Sequence, residues 1–356
     1  MKSLYQLFLL VLILFSEVIF AQLPETMIFK KISEPREKAF TLLVPDQWII
    51  EGGIYRIDPT TGGGSGNAMD AKLDISFKKD HSGSVMMRWL PDMNYFDMSM
   101  SPAGQMGAFP IGSNYNGMMV IPKMDAEAFI RQVVIPYAHP YMPDYEVIDS
   151  KSSDEIVEGI KKADAFIGMT CFYTAAVTTI TYTEAGVKYK ERIIAATQDF
   201  GELGAGLWKN RFTLYARAPI DQFESWEPVF LEMIRSVKIN MQWMIGEVQG
   251  QVQRGAINAE VLRHLQQMDK EIQEGHQKTY AEINNDMFLT LMDREEYVNP
   301  YTNEVEVGTN QWRYRWENES GEVVYSNREA YDPNHDETLN RTDYKKSSVR
   351  KRYGEH

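Results

Sequence analysis

The sequence predicts an α+β protein: an antiparallel sheet with flanking helices over residues 22–240, a long helix over 241–296, and a small C-terminal β unit over 297–344. Three observations point there. First, three runs rich in β-branched and aromatic residues follow one another: TCFYTAAVTTITYT, VKYKERIIAATQDF and LWKNRFTLYARAP. Their joints, Glu184-Ala185-Gly186 and Gly201 to Gly206, read as hairpin turns. Second, the runs DAEAFIRQVVIPYA and SWEPVFLEMIRSV carry helical apolar spacing. Third, the chain turns rich in Gln and Glu beyond Asn240. There Val261, Ile272 and Ile283 recur every eleven residues, close to the natural pitch of an α-helix.

The chain opens with Lys2, an apolar run from Phe8 to Phe15, and Ala21 before a polar residue, the pattern of a secretory leader over residues 1–21. A membrane span needs about 20 apolar residues, so cleavage after Ala21 is expected, with a periplasmic or secreted product. Lys2 and Glu17 cancel, so the mature chain keeps the formal charge of −13. That acidity argues against nucleic acid as a partner, because phosphate binding needs a basic surface. No later run is long and apolar enough to form a transmembrane segment. Oligomeric state is not legible.

FTLLVPDQWII reads as two strands around a Pro45-Asp46 turn, followed by GGIYRID and a glycine-rich connection. AKLDISFKKD alternates Leu73, Ile75 and Phe77 with polar residues, turns at Asp80 to Gly83, and returns as GSVMMRWLPD. Residues 99–122 read as a long loop. Asp125 is the expected N-cap of a helix with Phe129, Val133 and Val134 on one face and Pro136 near its end. YEVIDSKS reads as a strand and DEIVEGIKKADA as a short helix. Ser225 is the expected cap of the closing helix, with Pro228 in its first turn.

The opening FTLLVPDQWII and the closing WKNRFTLYARAPIDQFESWEPVFLEMIRSVKIN resemble the first strand and the last strand and helix of the PsbP-like fold family, over Phe40 to Asn240. The resemblance implies an α/β sandwich and a binding or assembly role, and it transfers no catalytic residue. The stretch VNPYTNEVEVGTNQWRYRWENESGEVVYSNREAYDPN resembles a tail of exported bacterial proteins that follows a long helix. It implies no activity.

No catalytic or metal spacing emerges, and no cofactor is expected. The glycines at 62–66 lack the Lys-Ser/Thr of a phosphate loop and read as a flexible connection. Six scattered histidines lack metal spacing. Cys171, the single cysteine, lies in an apolar context that suits a buried core thiol. Nine of the twenty methionines fall between Met86 and Met124. Thioethers select Cu(I), so Met93, Met98, Met100 and Met106 define one alternative, a copper-handling loop. A hydrolase with its site near residues 93–124 is another. The preferred reading is a non-catalytic binding or envelope-assembly protein with a protein or envelope-polymer partner.

The candidate binding residues lie in NQWRYRWENESGEVVYSN. In a strand, Trp312, Tyr314 and Trp316 share one face and Arg313 and Arg315 the other. The aromatic face is expected to serve as a stacking platform or to pack the tail against the rest of the protein. An isolated hairpin is marginal, which favours packing. The arginines are then expected to face water or an acidic surface. The basic tail, residues 345–356, is expected to dock in a similar way or to touch anionic envelope polymers.

Overall fold

The computed structural model describes residues 26–142, 144–164, 171–253, 295–309 and 311–350. The leader, the eleven-residue repeat of 261–290 and the last residues of the basic tail lie outside them. Along the chain come β1 (Thr26–Ser33), β2 (Phe40–Pro45), β3 (Ile49–Tyr55), β4 (Lys72–Lys78), β5 (Met86–Trp89) and β6 (Asn94–Phe96). Next come α1 (Pro102–Gln105), β7 (Asn114–Tyr115), β8 (Met118–Val120), α2 (Ala126–Phe129) and α3 (Ile135–Ala138). Then follow β9 (Glu146–Ser152), α4 (Asp154–Asp164), β10 (Phe172–Glu184), β11 (Val187–Asp199), β12 (Leu207–Pro219), α5 (Phe223–Arg235), β13 (Lys238–Ile239) and α6 (Met241–Gln253). The last strands are β14 (Glu295–Val298), β15 (Val305–Gly308), β16 (Tyr314–Glu317), β17 (Val323–Ser326), β18 (Lys345–Lys346) and β19 (Ser348–Val349).

The fold is α+β with mainly antiparallel sheets. The largest runs β3-β4-β5-β12-β11-β10-β9 along its main path. One face of it packs Ile75, Phe77, Met87, Trp89, Leu214 and Ala216 against α5 and a second sheet. The other face packs Tyr95, Ile180, Ile193 and Trp208 beneath α2 and α3. A bulge in β12 sets this division. Two residues, Phe212 and Thr213, fit where β11 offers only Ala195, and Phe212 has φ of 54°. Even-numbered residues therefore change face, from Trp208 on one core to Leu214 on the other.

The second sheet, β13-β2-β1-β17-β16-β18, corrects the expectation of a separate C-terminal unit. Strand β17 pairs with β1 from Thr26↔Ser326 to Phe29↔Val323. The terminal hairpin thus extends the sheet begun by the first strands, and Phe29, Val323 and Tyr325 bury in one core with Leu42 and Val44. A two-stranded hairpin gains stability by joining a wider sheet with an apolar face.

Three local expectations also change. The helix capped by Asp125, whose Oδ1 accepts from Ala128 N at 2.8 Å, is interrupted by a π-helical turn over Ile130–Val134. The wider turn lies just before Pro136, which has no N–H to donate and would crowd the carbonyl four residues back. Helix α5 starts at Phe223, so Ser225 does not cap it. The Ser225 hydroxyl donates to Gln222 O, and Pro228 lies inside the helix. The glycine-rich connection is pinned rather than flexible. Gly66 N donates to Asn116 O, and buried Asn67 donates to Asn94 O and Gly117 O. A Cβ at Gly64 would lie 2.2 Å from the Asn116 carbonyl carbon.

Candidate functional site

Helices α4 and α6, strand β2 and the inner face of β4, β5 and β12 line a partly open cavity of about 470 Å³. Its walls are mostly apolar, with Phe40, Trp89, Phe212 and Trp243 supplying rings and Ile54, Ile156, Ile160 and Met244 filling between them. The size suits a small organic ligand. Phe212 reaches the cavity side because of the β12 bulge.

Polar groups gather at one end. The Lys72 side chain is fully buried, and its ammonium donates to Asp70 Oδ1 and Asp92 O, each at 2.7 Å. Burial pushes the Asp92 carboxyl up, against the pull of Arg211, Lys209 and Lys72. Burial likewise raises the Glu155 carboxyl on α4 and lowers the Lys209 ammonium. Glu247 of α6 accepts from Ala71 N at 3.0 Å and pairs with Arg56 at 2.9 Å, which ties α6 over the cavity. Trp243 Nε1 donates to Glu37 Oε2 at 2.7 Å and adds a second tie. Apolar walls and a few convergent polar groups can hold and orient a ligand. The lining hydroxyl of Thr213 already accepts from Asn210, so it is engaged in structure.

The residues expected to bind are divided by the structure. Trp312 precedes β16 and is buried in the main core, tilted against Tyr325 at 5.5 Å. Trp316 lies on the outer face of the second sheet with Val324 and Tyr344, and meets the Tyr331 ring edge-on at 5.8 Å. Tyr314 is half-buried beside it, under the Lys346 ammonium at 4.0 Å. Arg313 is exposed. Of the two arginines expected to face water or an acidic surface, Arg315 meets acidic side chains, but in the interior rather than on a surface. It points inward on the same face as its partner Tyr325, and only 3% of its surface is exposed.

Arg315 is held by an ion cluster. Its guanidinium reaches Glu306 Oε2 at 2.6 Å, Glu317 Oε2 at 2.9 Å and Ser347 Oγ at 2.9 Å. Asn299 donates to both Glu306 and Glu317, and Lys238 pairs with Glu306. Burial would raise Glu306, but the charges of Arg315 and Lys238 outweigh it and hold the carboxyl well below the usual range. Burial pushes Glu317 up to about 7, opposed by Arg315 and aided by repulsion from Glu306.

This predicts an unusual pH dependence. A carboxyl raised from 4.5 to about 7 binds more protons folded than unfolded. Its contribution is fully present below the unfolded value and is lost as pH rises through the folded one. Stability is expected to fall by on the order of 2 kcal/mol between pH 5 and pH 8. Urea unfolding at both pH values measures this, and Glu317→Gln should flatten the difference. A rise in stability across that window, or an equal fall in the variant, would refute the assignment.

The other candidates disperse. Met93 packs on a core and Met98 is buried with its sulfur near Ser101 Oγ, while Met100 and Met106 stand 85% and 81% exposed. The four thioethers are thus divided between interior and solvent. Among the described residues, histidine side-chain hydrogen bonds run to Glu191 and Asp332 and not to a serine. Ser101, within the 93–124 region, caps α1 by accepting from Gly104 N. Cys171 is half-buried rather than a core thiol, because it precedes β10 and its sulfur accepts from Gln198 Nε2. Among the described residues, no helix is long and apolar enough to cross a membrane. No known family model matches this chain, and no curated protein matches it.

Little in the sequence points to the cavity, whose lining comes from segments as far apart as residues 39 and 251. The one local signal was a lysine, Lys72, opening a half-buried strand between two aspartates.

Proposed function

We propose that this protein is an exported, periplasmic or secreted, non-catalytic binding protein of the bacterial envelope, built on a PsbP-like sandwich. The ligand is a small apolar or amphipathic molecule held in the cavity beneath α6. The observation that carries this reading is the cavity itself: aromatic walls, a polar end built on buried Lys72, and carboxyls raised by burial. The leader-like opening and the resemblance over Phe40 to Asn240 support export and a binding role.

The test uses N-phenyl-1-naphthylamine, an apolar probe whose fluorescence rises on leaving water. The wild-type protein is expected to bind it at low micromolar concentration. Met244→Trp, which fills the cavity from the half-buried side of α6, is expected to weaken binding at least about tenfold with little change in melting temperature. Absence of probe binding to the wild type, or unchanged binding in the variant, would remove the cavity as the site.

A further inference from the structure

We propose that β9 is a docking edge for an extended segment of a partner protein, one that alternates basic and apolar side chains. β9 ends the main path of the largest sheet and pairs only with β10 among the described residues. Six of its seven residues are exposed, so one row of backbone donors and acceptors faces outward. None of its residues lines the cavity.

The contrast with the other edges carries the inference. Exposed edges invite unwanted pairing, and proteins commonly blunt them. Here β13, β18 and β19 have two residues each, and β15 has four, none of them exposed. The long edge β3 is kinked by Gly52 and Gly53 at positive φ. It is also capped at Ile54, whose N–H donates to Glu34 at 2.8 Å and whose carbonyl accepts from Arg36. β9 spans seven residues and exposes apolar side chains instead. Ile148 is 55% exposed at a bulge where β10 offers it no partner, and Val147 and Tyr145 are exposed beside it.

The surrounding charge selects the partner. Asp144 and Glu146 are exposed around Tyr145 and Val147. Lys151, the one cation on the strand, is paired with Asp149 at 3.0 Å. An added strand would take its affinity from backbone pairing. Its apolar side chains would meet Tyr145, Val147 and Ile148, and its Lys or Arg side chains would meet Asp144 and Glu146.

The probe is a fluorescein-labelled peptide, acetyl-(Lys-Val)₃-amide, followed by anisotropy. Binding is expected with slowed hydrogen exchange in β9. A peptide of the same charge with N-methylated backbone amides should bind at least about tenfold more weakly, and so should a Glu-for-Lys peptide. Val147→Lys combined with Ile148→Lys alters only exposed side chains and should weaken binding by a similar factor with an unchanged melting temperature. Equal binding of the N-methylated peptide would mean nonspecific charge attraction and overturn the proposal. Unchanged affinity of the double variant would do the same. Wild-type self-association that the double variant abolishes would assign the edge to a second copy of the chain and also overturn it.

Discussion

Arg315→Ala is expected to lower the unfolding free energy by about 3–5 kcal/mol, the usual cost of stranding a buried charge. The side chain sits under the inner face of β16, over the Tyr297 ring at 5.4 Å, and its guanidinium faces Glu306 and Glu317. Alanine removes the cation and leaves the Glu306 carboxylate in a poorly solvated site, with Glu317 driven further toward its protonated form. Lys238 pairs with Glu306 and its charge also reaches Glu317, but it lies 40% exposed and offsets only part of the loss. Urea unfolding at pH 7 gives the value. Arg315→Met with Glu306→Gln and Glu317→Gln should recover much of it, since neutralising a buried ion cluster as a unit is often nearly neutral. A loss below about 1 kcal/mol for Arg315→Ala would put the cluster in the range of exposed ion pairs and refute its buried character.

Arg315 also shows where sequence reasoning stops. Alternation separates two faces correctly along β16, from Tyr314 to Glu317, but it fails at Trp312, which precedes the strand and enters the inner core, and it does not say what covers each face. Trp316 fills the outer face, and residues 331–344 fold back to bury it. On the inner face, Tyr297 and Glu306 lie under Arg315, and Glu232 of α5 accepts from the neighbouring Tyr325 hydroxyl at 2.8 Å. With both faces covered, an alternating charge need not mean solvent. The carboxylates that tolerate it are nine residues upstream and two residues downstream, too ordinary to stand out in an acidic chain.

The central strands were legible because each depends on local pattern. Strands β10, β11 and β12 run thirteen residues each, pair antiparallel with one bulge in β12, and meet at the turns their glycines indicate. Pairings that span the chain were not. Thr26 meets Ser326 across 300 residues, and neither strand carries a mark of its partner. The cavity was hidden for the same reason. Phe212 lines it only because of a bulge, and α6 closes it through Glu247 and Arg56, residues that look like ordinary surface charges in sequence.

That long-range pairing gives the second large effect, the expected loss of about 3–5 kcal/mol in Trp312→Ala. The indole is 1% exposed and packs on Tyr325, which in turn meets Phe29 edge-on at 5.9 Å. Trp312 is therefore one step removed from β1 although it lies near the other end of the chain. Truncation leaves a void between the hairpin and the core that Tyr325 cannot fill, because its hydroxyl is tied to Glu232. Trp316→Ala should cost less, since that ring packs in a small cluster covered by a few residues. The distinguishing measurement is hydrogen exchange. If Trp312 holds the two ends together, amides of β1 from Thr26 to Phe29 should lose protection in Trp312→Ala, while those of β10 keep theirs. Loss of protection confined to residues 311–326 would mean that the hairpin frays alone and that β1 does not depend on it.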